Sequence, residues 1–194
     1  MSHNRAVVVD PDAPGRLVIR PVSEPAPEHG DAVVRVRAIS LNRGEVRRSG
    51  MAPAGWRPGW DLAGVVEGAA ADGAGPPVGA RVVGILTEGA WAERVAVPTH
   101  ALAELPEKVT FAQAATFPVA GLTALHALRQ GGLLLGRKVL IDGATGGVGH
   151  LACQLAHAAG AQVWGQVRRE EQRAAVAQWT GGRVVVSRDL AAAK

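Results

Sequence analysis

Lys138-Val139-Leu140-Ile141-Asp142, then Gly143-Ala144-Thr145-Gly146-Gly147-Val148-Gly149, then His150 through Ala159 is the stretch on which the fold turns. The first five residues are a short apolar run closed by a turn signal, which predicts a strand. From Gly147 to Ala159 the residues Val148, Leu151, Ala152, Leu155 and Ala156 recur on one face, and Gly160 ends the pattern, which predicts an amphipathic helix. Between them Ala144-Thr145-Gly146-Gly147-Val148-Gly149 fits the dinucleotide fingerprint with alanine at its first position. Glycine permits a tight turn and removes the Cβ that would block a diphosphate. A helix N-terminus adds free N–H groups and the positive end of a dipole. Thr145, Gly146, Gly147, Val148 and Gly149 are therefore candidate cofactor-binding residues.

Downstream, Gln162 to Val167 reads as a second strand, Glu170 to Trp179 as a second helix and Arg183 to Ser187 as a third strand, giving a βαβαβ unit. An acid at the end of the second strand would bind a ribose 2′-hydroxyl, but the sequence there is Gln166-Val167-Arg168-Arg169. Two guanidinium groups suit a 2′-phosphate, so Arg168 and Arg169 point to NADPH rather than NADH. Upstream, the chain is β-rich. Runs at Ala6 to Val9, Leu17 to Val22, Ala32 to Ser40, Leu62 to Val66, Arg81 to Leu86 and Trp91 to Val97 are punctuated by proline and glycine. Thr110 with Gln113 forms a capping box that starts a helix, and Pro118 opens a second one running to about Gln130. The predicted organisation is a β domain over 1–108, a helical connector over 109–135 and a dinucleotide-binding unit over 136–194.

Composition narrows the class further. With 47% hydrophobic and 20% charged residues the chain is globular, and no apolar run is free enough of polar residues to read as a membrane helix. The N-terminus has no secretory pattern, which gives a cytoplasmic expectation. One cysteine, Cys153, excludes an internal disulfide and a four-thiolate zinc site. The net charge of +4 comes wholly from residues 101–194, which carry 10 basic against 6 acidic residues. That suits an anionic ligand, while the lack of aromatics among the basic residues argues against nucleic acid. There is no tyrosine, so a proton must come from another donor or from water.

Together with the glycine turn, four segments resemble the medium-chain dehydrogenase/reductase superfamily, in its zinc-independent quinone oxidoreductase-like branch. They are Ala38-Ile39-Ser40-Leu41-Asn42, Pro58-Gly59-Trp60-Asp61-Leu62-Ala63-Gly64-Val65-Val66, Val78-Gly79-Ala80-Arg81-Val82 and Pro118-Val119-Ala120-Gly121-Leu122-Thr123-Ala124. The resemblance implies an α/β fold with a β-rich N-terminal part: a GroES-like β domain followed by an incomplete Rossmann (βαβαβ) domain. It implies that substrate and nicotinamide meet between the two. Positions that hold zinc in other members match Asn42, Trp60 and Val119, and neither indole nor valine coordinates zinc, so no metal site is expected. Asn42 matches an asparagine near nicotinamide and substrate, whose amide could donate to a carbonyl oxygen. Thr123 resembles a nicotinamide-side contact, and the backbone of Val119 to Gly121 would approach the same ring.

Without a Lewis acid, a quinone or an activated alkene accepts hydride more easily than a plain ketone. The expected activity is thus NADPH-dependent reduction of a quinone or enone, with a small-molecule substrate as partner and a homodimer through sheet edges as a further implication. The sequence holds only the first half of a doubly wound sheet. A truncated reductase is one expectation, and a non-catalytic binding or oligomerisation module using the open edge of the strand at Lys138 to Asp142 is the alternative.

Overall fold

The computed structural model describes residues 4–189. β1 (Asn4–Val9) and β2 (Leu17–Val22) form an antiparallel pair with Asn4 opposite Val22. A second antiparallel sheet joins β3 (Asp31–Ile39), β4 (Asp61–Gly68), β5 (Arg81–Ile85), β6 (Arg94–Pro98) and β7 (Leu102–Glu104) in the order β6-β3-β4-β5-β7. Its alternating side chains bury Val34, Leu62, Val66, Val82, Val95 and Val97 in one core. Each such burial contributes roughly 1.5–3 kcal/mol relative to exposure. Gly64 sits where a Cβ would lie 2.2 Å from the Arg35 carbonyl oxygen, so β3 and β4 approach closely only because that residue is glycine.

The expected strand at Trp91 to Val97 begins later, at Arg94. Residues 91–93 also reach β1: Val7 N–H donates to the Trp91 carbonyl at 2.9 Å and Glu93 N–H to the Arg5 carbonyl at 2.9 Å, while the Glu93 carbonyl still accepts from Val36 N–H of β3 at 2.9 Å. Asn42 and Gly44, residue types that favour turns, stand instead at the start of a helix, α1 (Arg43–Ser49). Its start is a capping box of Asn42 with Glu45, the same device that Thr110 and Gln113 supply to α2 (Phe111–Ala115).

α3 (Pro118–Arg129) follows, with proline in its first turn. The chain divides into two compact units between Val119 and Ala120, inside the segment read as a connector. In the second unit β8 (Lys138–Ile141), α4 (Gly147–Ala158), β9 (Gln162–Val167), α5 (Arg173–Thr180) and β10 (Val184–Val186) build a parallel sheet of order β10-β9-β8. That is the βαβαβ arrangement. A single 3₁₀ turn at Glu170–Gln172 precedes α5, so the helix starts later than the Glu170 expected from the sequence. Ala144, Cys153, Ala156, Val163, Val167 and Val176 form this unit's core. Gly165 makes room for α5, since a Cβ there would meet Val176 Cγ1 at 2.3 Å. Among the described residues no helix is long and apolar enough to cross a membrane.

Candidate active site

The glycine turn lies at the C-terminal end of β8, where ligands bind in open α/β sheets. Gly143 turns the chain with φ +65°, and Gly146 N–H closes the turn on the Gly143 carbonyl at 2.8 Å. α4 then starts at Gly147. The N–H groups of Gly147, Val148 and Gly149 have no carbonyl one turn back within the helix, while His150 N–H is the first to find one, Gly146, at 3.0 Å. Thr145, Gly146, Gly147 and Val148 are exposed, so no side chain plugs the turn. A Cβ on Gly147 would meet nothing within 4 Å, whereas one on Gly149 would lie 2.2 Å from the Gly143 carbonyl oxygen. The first glycine keeps space open in front of the helix; the second lets the helix pack on the turn. These residues fit a diphosphate.

Nothing in the sequence marks Gln166 as part of this turn, yet it holds the turn in place. Its buried side chain accepts from Gly143 N–H at 3.1 Å through Oε1, and Nε2 donates to the Val167 carbonyl at 3.2 Å and to the Ser187 carbonyl. Its backbone carbonyl accepts from Ala144 N–H at 3.0 Å. One residue thus ties the loop after β8 to the ends of β9 and β10. The amide itself is a weak signal, since β9 carries two, Gln162 at its exposed start and Gln166 beside Val167. His150 Nδ1 lies 3.0 Å from the Gly146 carbonyl, and its ring meets Trp179 at 5.5 Å. Cys153 is enclosed in the core, and burial pushes its thiol up to about 11, so it is not a nucleophile at neutral pH.

Arg168 and Arg169 follow β9 and are exposed. Arg169 Nε pairs with Glu171 at 3.1 Å, with both side chains at least 60% exposed, and such a pair is weak enough to exchange for a phosphate. Arg168 makes no ion pair among the described residues. Thr123 is exposed on α3, next to the buried Ala124.

In the first unit Asn42 is joined to a buried polar network. Asp61, fully buried at the start of β4, accepts through Oδ2 from Asn42 Nδ2 at 2.8 Å and from the Ser40 hydroxyl, and through Oδ1 from Val119 N–H at 2.9 Å. Asn42 Nδ2 also donates to Ser40 Oγ at 3.2 Å. Both amide hydrogens that the sequence reading directed toward a substrate carbonyl are thus engaged inside the protein. Glu45, likewise fully buried, accepts from Asn42 N–H at 2.6 Å and from Trp60 N–H at 2.5 Å. Burial raises the Glu45 carboxyl above the ordinary carboxylate range; its two backbone donors and the Asn42 amide oppose this, and the Asp61 charge adds to it. The outer edge of the Trp60 ring packs against Gly44 of α1: a Cβ there would fall 2.5 Å from Trp60 Cη2. Trp56, half-buried, donates through Nε1 to Glu88 at 2.8 Å and stacks under Arg48. Among the described residues no three His, Cys, Asp or Glu side chains are grouped to hold a metal ion.

Comparison with known proteins agrees with this architecture. Residues 28–107 match the alcohol dehydrogenase GroES-like domain. The chain is 34% identical over 166 residues to the quinone oxidoreductase of Pongo abelii, covering 81% of this chain and 50% of that protein. Among solved structures, a quinone oxidoreductase of Pseudomonas syringae pv. Tomato DC3000 superposes with a TM-score of 0.84 at 33% identity, over 94% of this chain and 58% of the other. The quinone oxidoreductase from Coxiella burnetii gives 0.85 at 28% identity, over 95% and 62%. The chain spans about half the length of the curated relative it matches. A GroES-like β domain followed by a parallel βαβαβ unit with an open glycine turn is the architecture this chain shares with those proteins. The chain belongs to the medium-chain dehydrogenase/reductase superfamily, in its quinone oxidoreductase-like branch.

Proposed function

We propose that this chain serves an NADPH-dependent oxidoreductase that passes hydride to a quinone or an activated alkene without catalytic zinc. The observation that carries the reading is the unplugged turn at Thr145 to Gly149, with open space beside Gly147 and the first N–H groups of α4 lacking a carbonyl within the helix. Those N–H groups hold the diphosphate, and Arg168 with Arg169 holds the 2′-phosphate through charge-assisted hydrogen bonds. The cofactor, when bound, supplies the hydride, and water supplies the proton that accompanies it. Thr123 contacts the nicotinamide side. Asn42 lines the acceptor side as a fixed polar group: both its amide hydrogens are held by Asp61 and Ser40, so the hydrogen bond to the acceptor's carbonyl oxygen comes from water. The positions of Asn42, Trp60 and Val119 supply no set of zinc ligands, which supports acceptors that need no Lewis acid.

The test is fluorescence titration of the chain with NADPH and NADH, for the native sequence and for an Arg168→Ala, Arg169→Ala variant. NADPH is expected to bind more tightly, and the double variant to lose on the order of tenfold or more of that affinity, while NADH changes little. Equal affinity for the two nucleotides in the native chain removes the 2′-phosphate assignment. A second reading, a non-catalytic binding or oligomerisation module, is supported by β8: among the described residues it pairs only with β9, and Leu140 is 52% exposed. Self-association without any nucleotide binding would favour it.

A further inference from the structure

We propose that Asp61 is the positioning residue of this site, one carboxylate that fixes in a single frame the Asn42 amide and the Val119 peptide. The inference rests on the hydride-transfer reading, which sets those two groups beside the nicotinamide. Its basis is geometric. Asp61 is fully buried, and three donors converge on its two oxygens: Asn42 Nδ2 at 2.8 Å and the Ser40 hydroxyl on Oδ2, and Val119 N–H at 2.9 Å on Oδ1. Asn42 precedes α1, Ser40 follows β3, and Val119 lies in the first turn of α3. No other described side chain joins those three places. An ionised carboxylate is acceptor-only, so it dictates which way the Asn42 amide faces: its nitrogen must point inward. Ser40 has one hydroxyl hydrogen, given to Asp61, and therefore receives the second Asn42 hydrogen on its oxygen. The amide cannot flip without setting its oxygen against a buried carboxylate oxygen. A group so locked costs little to orient when a ligand arrives, which is what precise positioning contributes to rate.

Asp61→Asn keeps the volume but turns one acceptor oxygen into an NH₂ group, so it cannot accept from Asn42 and Val119 together. In ¹⁵N-labelled chain, the side-chain amide pair of Asn42, assigned by its loss in Asn42→Ala, and the backbone amide of Val119 are read by NMR. Both resonances are expected to move in Asp61→Asn, while the amides of Val139 and Val163 in the second unit stay in place. If neither resonance moves, the assignment is overturned. Should Asp61→Asn fail to fold, Ser40→Ala is read in its place, with the Asn42 pair expected to move and the Val119 amide to hold; an unmoved Asn42 pair overturns the network. In turnover with NADPH and a quinone, Asp61→Asn is expected to lower kcat about tenfold to a hundredfold, with KM for NADPH within about twofold. An unchanged kcat in a folded Asp61→Asn variant overturns positioning, since a merely structural role would change stability alone. If the native chain shows no turnover, as half of a doubly wound sheet would, the NMR arm alone decides for or against Asp61.

Discussion

A methyl group added at residue 147 and one added at residue 149 separate binding from folding. Gly147→Ala meets open space at the start of a helix, so thermal stability is expected to stay within about 0.5 kcal/mol of native, while NADPH affinity falls about tenfold or more as the methyl enters the phosphate space. Gly149→Ala would drive a Cβ against the Gly143 carbonyl, backbone against backbone, and is expected to destabilise the second unit by more than about 1 kcal/mol before any ligand is added. Calorimetry with and without NADPH distinguishes the two; unchanged NADPH affinity in Gly147→Ala contradicts the cradle. Both glycines were legible in the sequence because their spacing is the motif. Glu45 was not, because its burial depends on Trp60, fifteen residues away. Its raised carboxyl means that the folded state keeps a proton to higher pH than the unfolded chain does. That contribution is complete below the unfolded value of about 4.3 and is lost as pH rises through the raised folded value. Native protein is therefore expected to lose thermal stability relative to Glu45→Gln as pH rises from about 4. A flat difference across that range would show that Glu45 is not perturbed.

Helices and strands followed from local pattern wherever their stabilising contacts are local. The capping boxes at Thr110/Gln113 and Asn42/Glu45 have the same chemistry, but only the first was read from the sequence. Gly44 in the first turn of α1 suggested a turn, and what keeps it helical is the Trp60 ring packed on its bare Cα, a long-range contact. The β8–turn–α4 unit was legible in full, but its dependence on β9 was not. Gln166→Met, close in volume but without hydrogen-bonding groups, is expected to lower stability by about 1–3 kcal/mol in urea unfolding and to speed amide exchange at Gly143. Unchanged exchange at Gly143 would show that Gln166 does not hold the turn.

Each unit has its own buried core, one of sheet valines and leucines and one beneath α4 and α5. In the second, Leu133, Leu135 and Leu140 are 79%, 69% and 52% exposed, and β8 has one side without a partner strand among the described residues. Apolar side chains beside an unpaired edge favour association. Sedimentation is expected to show concentration-dependent self-association, reduced by Leu140→Lys; identical behaviour of the two proteins would show that this edge is not involved. The sequence by itself determined the βαβαβ order of the second unit, the glycine turn and the pair of arginines after β9, because periodicity, capping and motif spacing act over a few residues. Only the tertiary structure decided that Asp61 meets Asn42, Ser40 and Val119, the last 58 positions away, and that Gln166 meets Gly143 and Ser187. Those partners are set by strand register and by where a buried polar atom must find a donor, and neither is written in any local stretch of chain.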